Sequence, residues 1–471
     1  MHADISRVSF RPERHYTAVL VQQGRVQLDA DVNEQSAINL HQLRTLTADL
    51  IGQHGGPRDA LGFEITHVRG RGRPDDLTIG GGRYYVDGIG SDADRPRPGV
   101  PVPDGPAEPP DVPEEWTYWD QPDAYRDPER PADRLPSDFP FLAYLKVWER
   151  SVVAAEDPAL QEVALGAAMP DTAARVKLVW QVLPLAGAEL DVAADATADE
   201  IRTAFQTWAD KAATSTARLA ARATRPDPDD EDPCLVKPDA RYRGPENQTY
   251  RVEIHAGGTD GEATFKWSRE NGSVVFPVDE LDGTWVTLAS LARDEKLDLD
   301  VGHRVELVDS AYASRLDALP LLRVEEVDLA GRRVRLSAEP SPEVGRRPER
   351  HPYLRRWDHQ GTPAHGGAIP VEEERWLALE DGVQVYFAAD GAYDTGDHWL
   401  IPARTITGTV EWPTDQQGRP LLADPAGPAA HYAPLAWITG AGAQADLRMS
   451  FAPLASAPRQ ATPRRRTTRK P

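Results

Sequence analysis

From about residue 240 to 412, apolar and polar side chains alternate with a period of two in one run after another. Tyr250, Val252 and Ile254 alternate with Arg251, Glu253 and His255, and the same alternation carries Phe265 with Trp267, Val305 with Leu307, and Val334 with Leu336. Successive side chains of a strand point to opposite faces, so each run reads as a strand with one apolar face. Trp376 to Leu379 leads through Glu380-Asp381-Gly382 into Val383, Val385 and Phe387, which is a legible hairpin. Trp399 with Ile401 and Val410 with Trp412 complete a last β-module near 440. Turn signals at short intervals favour antiparallel connections. At 471 residues the chain exceeds what one core normally serves. The predicted fold is therefore mainly β, in several antiparallel sandwich- or barrel-like modules, with an N-terminal helix and a helical insert.

Residues 1–56 read as a strand-helix docking unit. Val19, Leu20 and Val21 are extended, Gly24 turns the chain, and Val26 and Leu28 alternate with polar neighbours. Asp31 with Glu34 resembles a capping box, and Leu43, Leu46 and Leu50 fall at helical spacing before a stop at Gly52, so a helix is expected over about 32–52. Residues 57–185 form a β-module interrupted by a Pro-rich loop at 91–130. It contains a tight turn at Asp87-Gly88, a doubly buried strand from Phe141 to Trp148, and a one-faced strand through Val176, Leu178, Trp180 and Val182. In the helical insert and acidic linker, 186–234, Thr197 and Glu200 cap a stripe of Ile201, Phe205 and Trp208, predicting a helix over about 197–222. Two further β-modules, 235–345 and 346–456, precede a basic tail at 457–471 that includes Arg464, Arg465, Arg466, Arg469 and Lys470.

The net charge of −22 disfavours nucleic acid and anionic membranes as partners. A single cysteine, Cys234, cannot form an intramolecular disulfide. Neither a secretory leader nor an apolar run of bilayer length is legible, so synthesis in the cytoplasm and no membrane insertion are expected. Nucleotide-binding loops, a nucleophile elbow and zinc-helix motifs are all missing, and neither a catalytic residue nor a cofactor is assigned. Asp29, Asp31 and Asn33 match the opening of a calcium loop, but Glu34 and Leu40 stand where it needs glycine and a closing carboxylate, and helix capping accounts for them better. His351, His359 and His365 surround Trp357-Asp358 without metal-defining spacing. Glu380, Asp381, Asp394 and Asp397 could supply the carboxylate pair of a glycosidase, but with 75 acidic residues such pairs arise by chance, and Asp381 and Asp394 sit beside turns, where backbone hydrogen bonding explains them. An alternative function is carbohydrate binding or carbohydrate chemistry at cell-surface glycans, with Trp116, Trp119, Trp357 and Trp376 offering ring faces beside those carboxylates.

One set of motifs is more specific. Asp4-Ile5-Ser6-Arg7, Phe10-x-Pro12, Tyr16 and the run Gln22-Gln23-Gly24-Arg25-Val26-x-Leu28-Asp29-Ala30-Asp31-x-Asn33-Glu34-Gln35 open the chain. Later come Tyr144 to Arg150, Tyr242 to His255, Phe265 to Ser273 and Thr395 to Arg404. Together they resemble a bacterial domain-of-unknown-function family encoded in or near clusters for extracellular contractile injection systems and related phage-tail-like particles. Where relatives carry tryptophan after Asp31, this chain has Val32. The resemblance implies a non-enzymatic, baseplate- or fibre-associated structural component, made in the cytoplasm and assembled into a particle that can be released. Its expected partners are other subunits of the particle, as a symmetric homo-oligomer or at fixed copy number. The expected docking interface is Arg7, Gln22, Gln23, Arg25, Asn33 and Gln35 with the stripe Leu43, Leu46 and Leu50. The polar members either bond a neighbouring subunit or close a network within the chain.

Overall fold

In a computed structural model, the described residues are 1–96, 114–166, 170–193, 195–224, 241–290, 297–360 and 365–454. Cys234, the acidic linker at 225–233 and the basic tail lie outside them. Strands dominate, as the alternation predicts, and three β-bodies account for them.

The first body combines three sheets. Phe141–Val152 pairs along its whole length with Arg175–Ala186, and on its other edge with His431–Gly440 and then Ala443–Asp446. His54–Pro57 lies between Arg83–Val86 and the parallel strand Ser450–Phe451, with Ile89–Asp92 completing that sheet. Ile65–Val68, Asp76–Ile79 and Trp116–Thr117 form the third. Phe63, Leu77, Tyr84, Phe141, Val147, Trp180 and Leu435 share one core between them. On the opposite face of the long sheet, helix α2 (Ala198–Ala212) lays Ile201, Phe205 and Ala209 against Leu142, Tyr144 and Trp437. Its Thr197–Glu200 capping box is present, as the sequence predicts. The helix ends ten residues before 222, because Leu219–Ala223 is a strand whose five residues pair with Val383–Phe387. The alanines there, Ala220, Ala221 and Ala223, are good helix formers overridden by burial in a β-core. Residues 116–130 of the expected loop at 91–130 are packed: Tyr118 is buried and donates to the Asp133 carbonyl at 2.8 Å.

The second body is a sandwich of Ile369–Pro370, Thr264–Ser268, Gln248–Ala256, His398–Arg404 and Thr409–Val410 against Trp376–Ala378, Val383–Phe387 and Leu219–Ala223. Its core holds Tyr250, Val252, Ile254, Phe265, Phe387 and Trp399. A closed six-stranded barrel is the third: Val275–Asp282, Trp285–Leu288, Arg333–Leu336, Leu322–Asp328, Arg304–Val308 and Tyr353–Trp357. Val286, Val305, Leu307, Val324 and Leu354 fill its interior. The strands of 346–456 are thus shared among all three bodies, and the chain returns to the first body only at 431.

Helix α1, Asp29–Ile51, buries only Ala30 and Ile38. It begins three residues earlier than predicted. The Asp31 carboxylate accepts from the Leu28 N–H at 3.4 Å, while Glu34, expected to complete a capping box with Asp31, instead accepts from the Ser9 hydroxyl at 2.6 Å. Before it, the turn at Gly24 is present, with Arg25 N–H donating to the Gln22 carbonyl at 3.2 Å. Among the described residues the stretches flanking that turn pair with no strand, so the expected strand-helix unit is an unpaired segment followed by a helix.

Candidate functional site

The opening residues run into the joint where the three bodies meet. His2 donates its backbone N–H to Ser151 Oγ at 2.7 Å and accepts from that hydroxyl at 3.0 Å, which ties the arm to the first body. Asn271 Nδ2 donates to the carbonyls of Met1 and Ala3 at 3.1 and 2.8 Å. Thr249 Oγ1 and the Arg404 guanidinium both donate to the Ser6 carbonyl, at 2.8 and 2.9 Å. The His2 ring meets Glu253 at 2.8 Å and stands edge-on to Trp357.

Beneath the arm lies an ionic layer built by the polar face of strand Gln248–Ala256. Glu253 engages Arg251 at 2.5 Å, His2 at 2.8 Å and Lys266 at 3.3 Å. Lys266 reaches across to the barrel, placing Nζ 2.9 Å from both oxygens of Glu306, which also accepts from Trp357 Nε1 at 3.0 Å. Burial alone would raise the Glu253 carboxyl, but Arg251, His2 and Lys266 outweigh it and hold the group well below the usual carboxylate range. Glu306 is lowered in the same way, burial being overcome chiefly by Lys266. Burial, reinforced by the neighbouring Arg251 and Arg355, pushes His2 far below an ordinary histidine, so its ring is neutral at pH 7. His255 falls to about 4 through burial and Lys266. A cavity of about 100 Å³ adjoins this layer, lined in part by Arg355, Tyr353, Glu156 and Leu316. Its two central carboxylates are ionised and each engaged by several donors. Such an arrangement locks a joint; a proton-transfer site needs a group poised to change its charge near neutral pH.

The other sequence candidates are dispersed. Asp29 accepts from the Ser6 N–H and hydroxyl at 2.8 and 2.7 Å, Asp31 caps, and Asn33 is exposed, so the calcium-like triplet serves the helix start. His359 is buried and its Nε2–H donates to the Gly367 carbonyl at 2.9 Å, His351 is exposed, and the side chain of His365 lies outside the described residues. Among the described residues no three His, Cys, Asp or Glu side chains gather as metal ligands would. Glu380 accepts from Tyr250 and Arg269, while Asp397 accepts from the Ser215 hydroxyl and is pushed by burial up to about 6. Trp357 is fully buried, and guanidinium groups cover the rings of Trp116 and Trp376, from Arg95 at 4.2 Å and Arg222 at 3.9 Å. The Trp119 indole N–H donates to the Asp75 carbonyl.

The expected docking residues lie along the arm and α1. Arg7 is 3.7 Å from Glu411, and Gln35 closes a local network, accepting from the Val19 N–H at 2.8 Å and donating to Asn39 at 2.9 Å. Gln22, Gln23, Arg25, Asn33, Leu43, Leu46 and Leu50 are exposed, as are Leu20, Val21, Val26 and Val32. Over residues 1–102 and 204–469 the chain matches a family of unknown function, DUF6519. It belongs to that family. Comparison with curated proteins and with solved structures returns no match. The DUF6519 match spans the arm, α1 and the strands of the ionic layer, which were legible in the sequence as Arg-x-Glu-x-His and Phe-Lys-Trp without any hint of what Glu253 and Lys266 bind. Only the arm's path brings His2 to them.

Proposed function

We propose that this chain is a non-enzymatic structural subunit of a contractile, phage-tail-like injection particle, baseplate- or fibre-associated, and that residues 7–51 are its attachment element. One observation carries the reading: a 23-residue helix and the segment before it display Leu20, Val21, Val26, Leu43, Leu46 and Leu50 to solvent, with Leu20 at 84% exposure and Val26 at 83%. Apolar side chains this concentrated on one element mark an interaction surface. Both flanks of the element are built into the body, residues 1–6 in the ionic joint and 54–57 in a sheet, so the surface is held in place before any partner arrives. Pre-placement lowers the ordering cost of binding. Gln22, Gln23 and Arg25 edge the apolar patch with hydrogen-bonding groups, as a rim does.

The test is recovery in particles. A full-length L20D/V21D variant changes only exposed side chains, so its thermal melting should stay close to that of the unmodified chain while mass spectrometry finds it missing from purified sheathed particles. An unmodified chain consistently absent from such particles would overturn the proposal.

A further inference from the structure

We infer that α1 is one strand of a parallel coiled coil formed with α1 of a second copy of this chain. The inference rests on the reading of α1 as an assembly element and names its partner. The exposed residues Val32, Ser36, Asn39, Leu43, Leu46 and Leu50 follow one another at intervals of 4, 3, 4, 3 and 4. That is the a/d spacing of a heptad seam, and it runs nearly the length of the helix, about 28 Å at 1.5 Å per residue. Ala30, Ile38 and the half-buried Arg44 and Ala48 lie on the opposite side, facing the body. The seam therefore points straight away from the chain's own β-bodies, and two copies can meet along it with their bodies on the outside.

The occupant is a second α1 because of what flanks and interrupts the seam. Asn33, Gln35, Leu40, Gln42, Thr47 and Asp49 hold the e and g positions, with Asp49 the single charge among them, so identical helices meet without the like-charge opposition that enforces mixed pairing. Orientation follows from the two polar positions. In a parallel pair Ser36 faces Ser36 and Asn39 faces Asn39, and the amide N–H₂ of Asn39, whose carbonyl oxygen already accepts from Gln35 at 2.9 Å, can donate across the seam. An antiparallel pair of the same length would set Asn39 against Leu43 and Ser36 against Leu46, burying each polar group on a leucine.

The experiment uses the full chain. Light scattering coupled to size exclusion across the micromolar range should report a dimer, and L43D/L46D should raise its dissociation constant by about 100-fold or more without altering the circular dichroism spectrum. In a C234S background, L43C should cross-link to itself on oxidation, whereas an antiparallel pair would cross-link only when N39C and L43C are mixed. A chain that stays monomeric at every concentration, or a dimer untouched by L43D/L46D, overturns the inference. A monomeric chain still recovered in particles would overturn the coil and leave the assembly reading standing; a dimer absent from particles would do the reverse.

Discussion

At the residue scale the molecule turns on Glu253 and Lys266. Lys266, about 5% exposed in its side chain, bridges two carboxylates from different bodies. Removing one partner of a buried ion pair costs about 3–5 kcal/mol, because the remaining charge is left uncompensated. Lys266→Met should therefore lower the urea midpoint strongly, and adding E306L should return part of the loss. Acid should loosen the same joint. Glu253 has a lowered pKa in the fold, so its contribution is present above the ordinary carboxylate range and disappears as pH falls through the folded value. His2, His255 and His398 are neutral in the fold but take up protons when unfolded below about 6.5, so each removes on the order of 1 kcal/mol per pH unit as pH falls from there. Asp397, raised to about 6, works the other way, favouring the fold on its acid side. Burial also lowers His54, His303 and His359 and raises Asp76, Asp309 and Glu380, so the histidines still outnumber the raised carboxyls and the melting temperature should fall between pH 6.5 and 4.5; a flat profile there would show that these rings do not stay neutral in the fold.

At the element scale, α1 is positioned by a contact that only glycine permits. Asp87-Gly88 forms the tight turn between Arg83–Val86 and Ile89–Asp92, with φ of 47° and 79°. A Cβ on Gly88 would lie 2.2 Å from the Arg44 carbonyl oxygen in α1. Gly88→Ala thus combines backbone strain with a clash against the helix and should cost about 2 kcal/mol or more, with faster amide exchange in α1 than in the barrel. The helix is otherwise pinned by Arg44 to Glu149 at 2.5 Å. Exposed substitutions on the far face, such as Leu43→Asp, should change stability by less than about 0.5 kcal/mol when the chain is monomeric.

For the whole molecule, the arm acts as a cross-body tie. It contacts Ser151 of the first body, Thr249, Glu253 and Arg404 of the second, and Asn271 in the turn leading to the barrel. A second tie joins the barrel to the first body where Arg315 donates to Asp133. Deleting residues 1–6 should lower the melting temperature and expose the ionic layer to proteolysis between bodies, without unfolding any one of them. Deleting 1–56 should be worse, since it also removes all but Pro57 of the strand His54–Pro57 between Ser450–Phe451 and Arg83–Val86. Loss of an assembly contact is therefore better tested with the exposed side chains of the arm and α1 than by truncation.

The period-two strands, the hairpins at Asp87-Gly88 and Glu380-Gly382, the capped helix after Thr197 and the leucine stripe of α1 are all legible in the order of residues, because each depends on spacing and turn chemistry within a few positions. That order could not determine which faces are buried. Arg251, Glu253 and His255 alternate with apolar neighbours as a solvent-facing row would, yet every residue from Gln248 to His255 is buried. The polar face is covered by the charged Lys266 and Glu306 and by the neutral ring of His2, which lie from 13 to more than 250 positions away in the chain. Tertiary structure also decided the fate of residues 219–223, where helix-favouring alanines are recruited as a strand, and of Leu43, Leu46 and Leu50. The stripe shows that α1 has an apolar face; only the position of the body, on the side of Ala30 and Ile38, decides that the face looks outward.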